Sequence, residues 1–271
     1  MPHGFGAYVL VVATLSACAP SGTTGANAAG GGGGVAGVGG VGGGGAKASP
    51  IGAETTQLLS VVSEDWSSVP AAMQRYERAP EGDWQASGSP IPVVLGKSGL
   101  GWGRGLHPAA NDGPDKQEGD GRSPAGIFSL GTAFGYAPLA EAGWMKLPYV
   151  QATADLECVD DPGSSHYNQL VHRNAVTSVD WSSSEKMLRP DALYGWGLFV
   201  DHNVAPTVPG AGSCIFLHIW SGASSSTAGC TATAETELEA VIAWLDPAAH
   251  PVLVQLPRAA FDAHRSDWSL P

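Results

Sequence analysis

The chain has 271 residues, 38 of them glycine and 20 proline, and a formal net charge of −12. So acidic a surface excludes a nucleic-acid partner, which needs basic residues to neutralise phosphate, and stays compatible with substrates that carry cationic groups. From about Ile51 onward the composition is ordinary, and the length suits one domain with a sizeable core.

The first segment has an apolar run from Tyr8 to Leu15 closed by Leu15-Ser16-Ala17-Cys18. It resembles a bacterial lipoprotein signal, although its opening MPHGFG lacks the usual Lys or Arg. The expectation is a signal peptide over residues 1–17, a lipid on Cys18, and an exported, membrane-anchored lipoprotein facing the periplasm or cell wall. The apolar run is too short for a spanning helix, which needs about 20 residues. Residues 18–50 are almost wholly Gly, Ala, Ser, Thr and Val. They bury too little apolar surface to offset backbone entropy and read as a flexible tether. Residues 51–271 read as the folded domain.

Along that domain the pattern predicts a helix over Gln57 to Trp66, a strand over Ile91 to Lys97 and a tight loop at Gly99 to Gly105. The charged stretch Lys116 to Arg122 reads as an exposed turn or a loop shaping a cleft, leading into a strand over Gly126 to Gly131. Asp160 and Asp161, before Pro162, read as a turn or as an acid pair. A short helix is expected over Ser184 to Leu188, strands over Gly195 to Asn203 and Cys214 to Trp220, a helix between Thr233 and Asp246, and a strand over Pro251 to Leu256. The fold class implied is mainly β with a few helices.

The chemistry concentrates between Gly212 and Ala232, GSCIFLHIWSGASSSTAGCTA. His218 ends an apolar run of strand character, and Cys230 follows a turn of small residues. A thiol attacks well only as thiolate, so an imidazole beside it is the usual activating partner. Backbone amides near Gly229 and Cys230 are suited to stabilising an oxyanion. Trp220 and Thr227 fall where a cleft wall would be. The helix after Cys230 would favour the thiolate if its N-terminus pointed at the sulfur. The bland alternative is a buried structural cysteine and a core histidine. Cys158 and Cys214 remain as a disulfide pair or as two buried thiols. The histidines and cysteines lack metal-ligand spacing, so neither a metal nor a cofactor is expected, and the protein is read as a monomer.

The ordered segments KQEGDGRSPAGIF, CVDDPGSSHYNQLV, SCIFLHIW and STAGC together resemble the L,D-transpeptidase catalytic domain, the YkuD-like family, in its exported branch with a TAGC active-site turn. The resemblance spans about Val93 to Pro257. It implies a β-rich fold whose cysteine attacks a peptidoglycan stem tetrapeptide, releases the terminal D-alanine and passes the acyl group to another amine. On matching positions Cys230 is the nucleophile and His218 the base. The amides of Gly229 and Cys230 hold the oxyanion, and the Ile219 carbonyl orients the imidazole. The chain departs from the commoner pattern in having Ala228 where a second histidine precedes the glycine, and in the short interval between His218 and Cys230. A hydrolase on the same scaffold and a non-catalytic peptidoglycan-binding lipoprotein are the alternatives.

Overall fold

The computed structural model describes residues 48–80 and 82–271, so the signal segment, Cys18 and nearly all of the tether lie outside the described residues. In chain order the strands are β1 (Gln57–Ser63), β2 (Pro70–Glu77), β3 (Gln85–Val94), β4 (Leu100–Trp102), β5 (Ser123–Gly135), β6 (Tyr149–Gln151), β7 (Leu156–Val159), β8 (Leu170–His172), β9 (Ser184–Lys186), β10 (Trp196–Val200), β11 (Phe216–Ile219), β12 (Thr231–Thr233) and β13 (Val252–Pro257). The helices are α1 (Glu235–Trp244) and α2 (Arg258–His264). The protein is mainly β. No helix among the described residues is long and apolar enough to cross a membrane.

Pairings run from β5 through β10, β11, β12, β3, β2, β1 and β13 and back to β5, so the main sheet closes on itself like a barrel. The long β5 makes closure possible. Its first half pairs with β4 and β13, and its second half with β10 and β6. Side chains of Leu58, Ile127, Leu198, Leu217 and Leu253 fill the main core, against which α1 lays Leu238, Val241 and Ile242. Each such side chain contributes about 1.5–3 kcal/mol by leaving water.

The segment expected as a helix over Gln57 to Trp66 is instead β1. It lies between β2 and β13, and nearly all its residues are buried, which a lone amphipathic helix would not achieve. The segment expected as a helix over Ser184 to Leu188 is β9, whose Glu185 and Lys186 pair with Cys158 and Glu157 of β7. In both places tertiary pairing overrides local propensity. Part of the loop expected at Gly99 to Gly105 is β4, held parallel to the start of β5.

The strands β8, β7 and β9 form a second, small sheet. Glu157, 1 % exposed, holds this sheet together. It accepts hydrogen bonds from Ser184 Oγ at 2.6 Å and Trp181 Nε1 at 2.8 Å, and pairs with Arg173 and Lys186. Burial opposes its charge, but these donors win and hold its carboxyl down at about 2. Cys158 of β7 is disulfide-bonded to Cys214, which fastens the small sheet to the approach to β11.

Two histidines, the fully buried His202 and the partly buried His107, are built into the backbone as neutral rings. The Arg104 N–H donates to His202 Nδ1 at 3.2 Å, and the Ile127 N–H donates to His107 Nδ1 at 3.0 Å. A proton on either Nδ1 would break that bond. Burial, the largest effect, pulls both rings down to about 4 from the usual 6.5. The unfolded chain therefore binds protons more readily between pH 6.5 and 4, so this share of stability is complete above 6.5 and is lost as pH falls toward 4. Asp201, raised to about 6 by burial, acts in the opposite sense over pH 6 to 4 as a single group. The thermal midpoint should fall by on the order of 10 °C from pH 7 to pH 4, as read by differential scanning calorimetry. A midpoint that holds or rises would show that the rings are not held neutral.

Candidate active site

β11 and β12 are parallel neighbours, with Leu217 opposite Thr231 and His218 opposite Ala232. The same register carried one residue back sets Phe216 beside Cys230. Alternation then sends Ile215, Leu217 and Ile219 into the main core and leaves Phe216, His218, Cys230 and Ala232 on the other face. His218 and Cys230 are thus diagonal neighbours across a strand pair, at a backbone separation of about 7–8 Å, within reach of side chains that lean toward one another. Both line one cleft of about 500 Å³.

The imidazole is fixed at one nitrogen. His218 Nδ1 lies 2.8 Å from the carbonyl oxygen of Ile219. A carbonyl only accepts, so Nδ1 carries the hydrogen and the Nε2 lone pair is left as a base. An aromatic group backs the ring. Tyr194 meets it edge to face at 5.1 Å, and Phe134 and Phe216 pack on Tyr194. Gly197, directly opposite His218, makes room for this group, because a Cβ there would sit 2.2 Å from the Phe134 ring. Burial draws His218 down to about 4, against the pull of the Ile219 carbonyl, so the ring is neutral at pH 7.

Cys230 is buried. Its Sγ accepts from the Phe216 N–H at 3.3 Å and faces the Cys214 carbonyl at 3.6 Å. The backbone around it is held from two sides, with its carbonyl accepting from Ser123 Oγ at 2.7 Å and Thr227 Oγ1 at 2.6 Å. Gly229 passes so close to the Arg122 carbonyl that a Cβ would stand 3.1 Å from it. Its N–H donates to Thr227 Oγ1 at 3.2 Å, so the amide expected for an oxyanion is engaged by a side chain, and the Cys230 amide is the other expected donor. Burial, with the nearby Glu185 carboxylate second, raises the thiol above its ordinary range. The resting pair is therefore a neutral thiol beside a neutral imidazole.

The dipole expectation is corrected. β12 separates Cys230 from the first turn of α1, so the helix starts about 13 Å of extended chain away, beyond the reach of a terminal dipole. Glu235 and Glu237 occupy that first turn.

Trp220 and Thr227 line the cleft, as do Lys116, Glu118 and Gly119 of the charged loop. Glu118 is tied in by Ser213 Oγ at 2.7 Å and by the Tyr167 hydroxyl. Cys214 has φ of 54°, a left-handed conformation strained for its residue type, and Asn168 Oδ1 holds it by accepting from its N–H at 2.9 Å. Cys158 and Cys214 form one wall support through their disulfide. The acid pair divides. Asp161 is a turn residue accepting from Gly163 N at 2.8 Å and Ser182 N at 2.7 Å, whereas Asp160 lines the cleft. Glu185, Arg189 and Tyr194 also line it, and nothing in the sequence pointed to them. Among the described residues no cluster of His, Cys, Asp and Glu is placed to hold a metal.

No family model, curated protein or solved structure matches this chain.

With the thiol buried and neutral, iodoacetamide should label Cys230 at pH 7 at least about tenfold more slowly than in the denatured chain, and faster as pH rises toward 9. Peptide mapping without reductant should recover Cys158 and Cys214 in one linked pair. Labelling as fast as in the denatured control would mean an exposed thiolate.

Proposed function

We propose that this protein is a cysteine acyltransferase of the L,D-transpeptidase type, acting on peptidoglycan stem peptides from a lipid anchor on Cys18 on the outer side of a membrane. The observation that carries this reading is the pairing of a histidine oriented by its neighbour's carbonyl with a cysteine on the same sheet face and in the same cleft. A structural cysteine has no need of an oriented base. The sequence segments that resemble the family fall at this site. Lys116, Glu118, Asp160, Cys214, His218 and Thr227 to Cys230 all contribute to the cleft.

In this reading His218 Nε2 takes the thiol proton as Sγ attacks the carbonyl carbon of the donor, so no free thiolate accumulates in a site that disfavours it. The tetrahedral oxyanion is met by the Cys230 amide. The Gly229 amide joins when it leaves Thr227 Oγ1. Collapse breaks the bond to the terminal D-alanine, whose nitrogen receives the proton from His218, and leaves a thioester on Cys230. An acceptor amine then attacks the thioester, gives its proton to Nε2, and the thiol is reprotonated as it leaves.

The test is incubation of the protein with purified disaccharide-tetrapeptide, followed by mass spectrometry. The expected products are dimers lacking one D-alanine. Cys230→Ala should remove them by several orders of magnitude, and His218→Gln by about 10²–10⁴-fold. Tripeptide without dimers would make water the acceptor and the protein a hydrolase. Absence of any cysteine-dependent turnover while sacculus binding persists would assign a binding role. With His218 at about 4, the acid limb of kcat/KM should lie near pH 4, activity falling as pH drops through it. A limb near 6.5 would contradict the buried, neutral imidazole.

A further inference from the structure

We propose that Asp160 and Glu185 form a cation subsite in the Cys230 cleft, taking the ammonium group of a substrate whose acyl carbon is presented to the thiol. The inference rests on the acyl-transfer reading and specifies the chemistry of the substrate that the cleft accepts.

Glu185 belongs to β9 and stands directly opposite Cys158 of β7, and Asp160 follows the last residue of β7, two residues beyond Cys158. This edge of the small sheet lies next to Cys230, since Cys158 is bonded to Cys214 and the Cys214 carbonyl meets Cys230 Sγ. Both carboxylates line the cleft with the nucleophile.

Their hydrogen bonding sets them apart from the other carboxylates nearby. Glu157 has four donors around it. Asp161 is satisfied by Gly163 and Ser182, and Asp180 by Ser164 and Ser165. Asp160 Oδ1, by contrast, is buried without any hydrogen-bond partner. Glu185 accepts only from the Tyr194 hydroxyl, at one oxygen. Nor do the cations lining the cleft fill the gap. Arg189 is forked onto Asp191 at 3.0 and 2.9 Å and lies over the Tyr194 ring at 4.9 Å, leaving Glu185 at 3.8 Å. Lys116 is bound to Asp120 at 2.6 Å.

In the resting protein this arrangement works against the chemistry, because burial first and the Glu185 carboxylate second oppose ionisation of the thiol. A bound ammonium removes the conflict. It supplies the donors that Asp160 and Glu185 lack, neutralises the field at Cys230, and makes loss of the thiol proton easier once a substrate of the right charge is seated. Substrate recognition and activation of the nucleophile are then one event.

The test uses two alkylating probes of similar size and the same leaving group, 2-bromoethylammonium and neutral 2-bromoethanol, on the full chain. Rates are read on the Cys230 peptide and divided by those of N-acetylcysteine under the same conditions. The expected result is a preference for the cationic probe of about tenfold or more. The preference should shrink several-fold in Asp160→Asn and vanish in Asp160→Asn with Glu185→Gln, while the neutral probe reacts somewhat faster. Both changes keep side-chain shape, and the single variant removes no hydrogen bond of the resting protein. Equal normalised rates for the two probes in the wild type, or a preference that survives in the variants, would overturn the subsite. The probes need no turnover, so failure on stem peptides would remove the acyl-transfer reading and leave this ratio standing. Loss of the ratio with turnover intact would remove the subsite alone.

Discussion

The parallel pairing of β11 with β12 is the constraint from which the site follows. Antiparallel neighbours can be joined by a two-residue turn, whereas parallel ones need a longer crossover. Here the crossover is the loop from Trp220 to Cys230, and it becomes a wall of the cleft. Pairing in this register also decides which face each residue takes. A shift of one residue would send His218 into the main core and bring Leu217 or Ile219 to the cleft. The closed main sheet fixes that register, since β11 is held by β10 on one side and β12 by β3 on the other.

Around this pair the protein builds support in two layers. The Ile219 carbonyl and the Tyr194 ring set the imidazole, and Ser123 and Thr227 set the carbonyl of Cys230. Behind them the small sheet is locked by the charge network on Glu157 and fastened by the disulfide between Cys158 and Cys214. The consequence is a braced site in which neither partner is charged at rest. Burial disfavours a standing thiolate, so in the proposed reaction proton transfer accompanies attack.

Sequence alone carried the β-rich class and the strands that form the core around the site. The apolar, β-branched runs of β5, β10, β11 and β13 sit between glycines, prolines and asparagines, and α1 shows its Leu238, Val241, Ile242 and Leu245 spacing plainly. β1 was illegible because Leu58, Val61 and Val62 also fit a helical period, and its pairings with β2 and with β13, the latter nearly two hundred residues away, decide the matter. β9 was illegible because it is three residues long and Glu185 and Lys186 are good helix formers. At the site, His218 and Cys230 stood out because strand end and small-residue turn are local signals. Glu185, Arg189 and Tyr194 did not, and Asp160 stood out only as part of a turn or acid pair, because their place in the cleft depends on the small sheet folding onto β11, which no local pattern encodes.

The account stands or falls on a covalent bond to Cys230. The direct measurement is the intact mass of the protein quenched in acid during turnover of disaccharide-tetrapeptide, with the adduct mapped by peptide. An adduct equal to the donor less D-alanine, on the Cys230 peptide and cleaved by hydroxylamine as a thioester would be, is the result the account predicts. Turnover that proceeds with no adduct, or with one on another residue, would contradict it.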